Sequence, residues 1–229
     1  MFPTTRWTLI LASREGTQAR QQALEQLFAT YWKPIYFYAR RKGLSVEDAQ
    51  DAVQGLFTQL LESDFLTRLD QGKGRFRGYL KTAMDHHLVN LHERSAAQKR
   101  GGDVRIVPLD VILAERDISG ASEEPDRAYE REWALGLMER ALARLRTEYE
   151  TGRRKGNVET VLSFFRVDAA PSYAEAAARS GMSVAQFKAS LHRARARFRE
   201  ILREQVADTL QDPADAQREL EDLVRALSA

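Results

Sequence analysis

Cysteine is absent from the 229 residues. That excludes a disulfide framework and thiolate metal sites, and it fits a reducing compartment. Long apolar runs are missing too. Nothing approaches the ~20 residues of a membrane span, and Leu9-Ile10-Leu11-Ala12 is too short for the apolar stretch of a signal peptide. The expected location is the cytoplasm, without membrane insertion. Proline is scarce, with six residues read as punctuation at segment edges. No stretch alternates apolar and polar residues over strand length, and there is no internal repeat or low-complexity segment. The periodicity is helical almost throughout, so the fold class is expected to be all-α.

Catalytic and cofactor signatures are lacking as well. His86, His87 and His92 do not have the i, i+4 spacing of a helical zinc pair, and no third ligand is evident. His87 lies toward an apolar stripe and reads as a core residue. Gly72-Lys73-Gly74 is too short for a phosphate-binding loop and is not followed by Lys-Ser/Thr. No isolated pair of carboxylates supports general acid–base chemistry. The chain is therefore read as a non-enzyme without metal or cofactor.

What is present is a segregated charge pattern. The net charge is only +2, yet residues 1–100 carry 15 basic against 10 acidic side chains, and residues 129–205 repeat those numbers. Between them residues 101–128 carry 3 against 7, and residues 206–229 carry 2 against 6. Two basic blocks and an acidic spacer suggest two polyanion-binding domains on a linker. The expected division is a helical bundle at 1–100, a flexible linker at 101–128, a second helical domain at 129–205 and an acidic, helical C-terminal extension at 206–229.

In the first block, Ala23, Leu27 and Phe28 lead into Tyr31, Trp32, Tyr36, Phe37 and Tyr38, and Arg41-Lys42-Gly43 closes the helix. Ser45-Val-Glu-Asp48 opens the next helix with a capping pattern, followed by Val53, Leu56, Phe57, Leu60 and Leu61 at helical spacing. A glycine-punctuated loop, Asp70 to Arg75, precedes a third helix from about Phe76 to Lys99. Lys73, Arg75 and Arg77 beside the aromatics suggest single-stranded nucleic acid, since cations track a backbone and aromatic faces receive unstacked bases. Most of those aromatics are expected in the core. The linker is read with a short helix near Leu109–Arg116, and Gly152 to Gly156 as a basic turn.

The sharpest signal lies at residues 172–199. Ser172-Tyr-Ala-Glu175 and Ser183-Val-Ala-Gln186 are two capping boxes eleven residues apart, with Gly181 between them. Small residues allow close helix crossing, and glycine supplies a positive φ in the turn. The arrangement is that of a helix-turn-helix. On the second helix Val184, Phe187, Leu191, Ala194 and Phe198 form an inward stripe. Gln186, Ala189, Arg193 and Arg197 face the other way, flanked by Lys188 and His192. One packed face and one cationic face is what a major-groove reader requires.

Taken together, about residues 20–205 resemble bacterial sigma factors of the extracytoplasmic-function (ECF) type, which keep two helical domains joined by a linker. Glu47-Asp-Ala-Gln-Asp-Ala-Val-Gln-Gly-Leu-Phe57 is similar to the family's acidic polymerase-clamp helix. The resemblance implies Asp48, Asp51 and Gln54 as polymerase contacts. Arg75-Phe-Arg-Gly-Tyr-Leu80, continuing to Arg94, resembles the segment that melts and reads the minus-ten element, implying Lys73, Arg75, Arg77, His86, Asn90 and Arg94 there. Tyr173 to Ser183 and Phe187 to Arg195 resemble the minus-thirty-five reader, implying Ser183, Gln186, Lys188, Ala189, His192, Arg193 and Arg197. Core RNA polymerase (clamp and flap), promoter DNA and a regulator of the anti-sigma type are the implied partners. The chain departs from the pattern at His86 (commonly Asn), at Ala189-Ser190 (often Ser-Arg) and at Gly55 (commonly acidic). The alternatives are a one-component helix-turn-helix regulator that does not bind polymerase, and a protein-interaction module built on the acidic helix. The acidic tail, with Leu210, Leu220, Leu223, Val224 and Leu227 as an apolar stripe, is expected either to occlude the basic second domain or simply to extend the helical core.

Overall fold

The computed structural model describes residues 17–62, 76–97, 123–151, 158–165, 170–207, 210 and 215–228. Among them are eight α-helices and no strand: α1 Thr17–Arg41, α2 Val46–Glu62, α3 Phe76–Ala97, α4 Pro125–Thr151, α5 Val158–Leu162 (followed by a 3-10 turn, Ser163–Phe165), α6 Tyr173–Arg179, α7 Val184–Ala207 and α8 Ala216–Ser228. The all-α expectation holds. No helix among the described residues is long and apolar enough to cross a membrane. Lys73, Arg75, the short helix near Leu109–Arg116 and the basic turn at 152–156 lie outside the described residues.

By contacts the chain forms two compact units, Met1–Leu135 with Ala207–Ala229, and Gly136–Val206. The first unit is built on the aromatic run of α1. Tyr31, Ile35, Tyr36, Phe37, Tyr38 and Ala39 are all buried, which places most of those aromatics in the core, as read. The run continues through Pro34, which lies inside α1 rather than at a segment edge. A proline forfeits one backbone hydrogen bond in a helix interior, and here the buried side chains on both sides of it hold the helix together. At its end, Gly43 has φ +95°. Leu44 N–H donates to Ala39 O and Gly43 N–H to Arg40 O, so the last carbonyls are capped. Helix α2 packs Ala49, Ala52, Val53, Leu56, Phe57 and Leu60 against this core, and α3 adds Phe76, Leu80 and Met84.

The start of α4 differs from the expectation. Pro125, expected in the linker, opens the helix. A missing N–H costs nothing in the first turn, and the fixed φ suits it. The stretch from Pro125 to Leu135 belongs to the first unit, with Ala128, Tyr129, Trp133 and Ala134 buried. Tyr129 donates its hydroxyl to the carbonyl of Arg77 at 3.0 Å, its ring lies 6.0 Å from that of Tyr38, and Lys81 pairs with Asp126 at 2.8 Å. Full burial pushes the Tyr129 phenol well above its usual range. The expected boundary at 129 therefore falls within a helix.

In the second unit Leu137, Ala141 and Leu145 from α4 are buried. A further core joins Val161, Ala176, Ala177, Phe187, Leu191 and Ala194, with Tyr149, Phe164, Phe165 and Met182 packed against it. Phe187 is wholly buried, and its ring lies 5.4 Å from that of Phe164. Phe187→Ala is expected to destabilise the protein by about 3–5 kcal/mol, the range for a truncated core aromatic. Urea unfolding followed by circular dichroism measures it, and a loss under about 1 kcal/mol would contradict this packing.

Candidate nucleic-acid interface

Helices α6 and α7 are set by two reciprocal caps. Glu175 N–H donates to Ser172 Oγ at 3.2 Å, and Ser172 N–H donates to Glu175 Oε2 at 2.9 Å. Gln186 N–H donates to Ser183 Oγ at 3.2 Å, and Ser183 N–H to Gln186 Oε1 at 2.9 Å. The cap hydrogen bonds from the Ser172 backbone and hydroxyl hold the Glu175 carboxyl below its usual range. Between the helices Gly181 has φ +62°, and Met182 N–H donates to Ala177 O at 3.0 Å, which closes the turn. Ala176 and Ala177 are buried, small enough for α7 to pass close by.

This leaves α7 divided along its length. Phe187, Ser190, Leu191, Ala194, Phe198, Ile201, Leu202 and Val206 are buried. Ser183, Gln186, Lys188, Ala189, His192 and Arg193 are all exposed, and they lie together on one side of α7 and its cap. The Lys188 ammonium lies 5.1 Å from the Tyr173 ring centroid, and Tyr173 stacks on Phe164 at 5.4 Å. Arg193 has no acidic partner among the described residues.

Arg197 is placed differently. Its Nε and Nη2 donate to the two oxygens of Glu148, both at 2.8 Å. Its Nη1 donates to Glu200 at 3.0 Å and Glu204 at 3.2 Å. Helical period alone turned Arg197 outward, but the long side chain reaches back to α4. The bidentate bond to Glu148 raises the Arg197 guanidinium further and holds the Glu148 carboxyl below its usual value.

In the first unit, Asp48, Asp51 and Gln54 are exposed on α2, opposite its buried stripe. Ser45 Oγ accepts the Asp48 N–H at 3.0 Å and donates to the Asp48 carboxylate at 2.7 Å. On α3, His86 and Asn90 are exposed and line a cavity of about 270 Å³ with Leu56, Gln59, Leu60, Ala83 and His87. His87 is half-buried, with Nδ1 3.2 Å from Gln59 Oε1. A Cβ at Gly55 would lie 2.8 Å from His87 Nε2, so the absent side chain at 55 makes room for the imidazole. No group of His, Asp or Glu that could hold a metal ion occurs among the described residues. Arg94 belongs to α3, but its side chain is outside the described residues. Arg77 is buried rather than presented to solvent. Its guanidinium lies 4.2 Å from the Trp133 ring centroid and pairs with Glu130 at 3.3 Å and with Glu219.

The sequence profile of the ECF sigma factor family matches residues 7–204. The chain belongs to the ECF sigma factor family. No curated protein and no solved structure matches it. A sigma factor acts in transcription initiation and binds DNA.

Sequence reasoning missed the partners that fix these side chains, namely Glu148 for Arg197, Glu219 and Trp133 for Arg77, and Gly55 for His87. Each joins positions far apart in the chain or depends on what a missing side chain leaves open. Residues 207–229 group by contacts with the first unit, where Glu219 pairs with Arg77 of α3.

Glu148 also gives a pH dependence. A carboxyl held below its ordinary 4.5 contributes stability above that value and loses it as pH falls through the lowered one. The melting midpoint is therefore expected to drop on acidification below about pH 4.5, with Glu148→Gln starting lower at neutral pH and declining less steeply. Parallel declines for the two proteins would show that the Arg197–Glu148 pair adds nothing.

Proposed function

We propose that this sigma factor binds core RNA polymerase through α2 and directs it to promoters, reading the minus-ten element with the first unit and the minus-thirty-five element with α6 and α7. The work is cytoplasmic, where polymerase and chromosome meet. The observation that carries the reading is the division of α7. Its packed face is occupied by Phe187, Leu191 and Ala194, while Ser183, Gln186, Lys188, Ala189, His192 and Arg193 stay exposed. Arg197, engaged by three carboxylates, serves to seat α7 on α4.

On α2, Asp48, Asp51 and Gln54 form the polymerase contact, an acidic strip over an apolar underside. On α3, His86 and Asn90 form the accessible part of the minus-ten reader, joined by Lys73 and Arg75 from the preceding segment and by Arg94. A histidine at 86 brings a ring that can stack or donate, where an amide would pair with a base edge in two directions. The minus-ten preference is correspondingly altered.

The deciding experiment is run-off transcription by core polymerase plus this protein on a promoter library. A one-component regulator would bind DNA without forming a stable complex with core polymerase, and that result would overturn the reading. Asp51→Arg is expected to weaken binding to core polymerase, while a substitution at this exposed position changes stability by no more than about ±0.5 kcal/mol. Titration of labelled protein with core polymerase measures it, and unchanged affinity would remove α2 from the interface.

Arg193→Ala is expected to weaken minus-thirty-five binding. If the side chain reads a base, the loss is about 1–3 kcal/mol and specificity relaxes at one position; if it holds a phosphate, all sequences weaken alike. Anisotropy titrations against single-base variants separate the two. Equal binding by mutant and wild type would place Arg193 off the DNA.

A further inference from the structure

Helix α8 buries an acid where its stripe would otherwise be apolar. Ala216 and Leu223 are 4% and 3% exposed, and Glu219 between them is 1% exposed. A carboxylate this deep requires a cation. Glu219 pairs with Arg77, the second residue of α3. The guanidinium is also held over the Trp133 ring and against Glu130. The outer side of α8 is charged and open to solvent, with Arg218, Glu221 and Arg225 exposed. A cavity of about 360 Å³ opens beside Arg77, lined also by Asp126, Arg127, Glu130, Asp222 and Arg225.

We propose that α8 is a displaceable clasp. Glu219 occupies Arg77 in the free protein, and a phosphate of single-stranded promoter DNA takes its place when α3 engages the minus-ten element. This rests on the reading of α3 given above. Carboxylate and phosphate match the same guanidinium fork, so one anion exchanges for the other without leaving the cation bare. The clasp is local. A helix of 13 residues is marginal on its own, and Ala216, Leu223 and the Glu219–Arg77 pair are among the contacts that hold it. Because it is tethered in the same chain, it competes at a high effective concentration, and Arg77 is withheld until DNA is delivered by other contacts. The lid acts on the melting segment, not on the helix-turn-helix.

The test uses full-length protein and a fluorescein-labelled single-stranded DNA of mixed sequence, titrated by anisotropy at several salt concentrations. Glu219→Gln removes the competing charge and keeps the shape. One added phosphate contact on a single strand steepens the slope of log K against log salt by about 0.7, which corresponds to roughly fivefold tighter binding at about 0.1 M salt. Glu221→Gln makes the same charge change on the exposed side of α8 and is expected to leave the slope at the wild-type value. Arg77→Ala in the Glu219→Gln background is expected to abolish the gain. Should Glu219→Gln melt below the assay temperature, deletion of residues 208–229 takes its place, and the part of its gain that Arg77→Ala abolishes in the same background is the part that belongs to the clasp. A wild-type slope in the Glu219→Gln protein, or a gain that survives Arg77→Ala, would overturn the clasp while leaving the promoter-binding reading intact. Absence of salt-dependent DNA binding in every protein, wild type included, would overturn that reading and the clasp with it.

Discussion

The first unit depends on the burial of two aromatic side chains one turn apart on α4, Tyr129 and Trp133, both at most 1% exposed. Tyr129 ties its hydroxyl to the backbone of α3 and its ring to α1. Trp133 offers its face to the Arg77 guanidinium, so a cation that would be costly to bury is stabilised by a ring quadrupole and two carboxylates. Glu132 beside them is 2% exposed and paired with Lys33 and Arg131. The unit therefore has a polar layer of fixed partners between its helices. Such layers penalise any packing in which one member is left unpaired, which selects one arrangement of helices over its near relatives.

The second unit is secured by a different economy. Its helices α5 and α6 have five and seven residues, well short of the length at which an isolated helix holds in water. Caps and packing supply what length does not. Ser172 with Glu175 and Ser183 with Gln186 satisfy backbone donors at the start of α6 and of α7, and the aromatic cluster around Phe187 fills the space between them. Tying the Gln186 carbonyl oxygen into the cap also settles which end of its amide faces outward.

The parts of this architecture that were legible in the sequence are those written locally. The capping boxes, Gly181, the glycine stop at Gly43 and the stripe of α7 from Phe187 to Phe198 each involve residues within a few turns, and each appears where the pattern put it; Val184, expected inward at the start of that stripe, is exposed instead, as the first residue of the helix. Pro125 and Pro34 misled, because a proline marks either a break or a first turn and buried neighbours can carry a helix through one. Arg77 and Arg197 carry the same lesson about charge. Periodicity describes the direction of a Cα–Cβ bond, but an arginine spans several ångströms beyond it and goes where a carboxylate waits. Neither Glu148 nor Glu219 is close in sequence to its arginine, so a one-dimensional reading had no access to either pair. The grouping of the tail with the first unit was hidden for the same reason.

The fit between Gly55 and His87 rests on a side chain that is missing. A methyl group at 55 would lie 2.8 Å from Nε2 and 3.1 Å from Cε1 of the imidazole, so the ring would have to swing away and give up Gln59. Position 55 and the imidazole at 87 are thus sterically coupled across two helices: any side chain at 55 requires the ring to shift from the place where it meets Gln59.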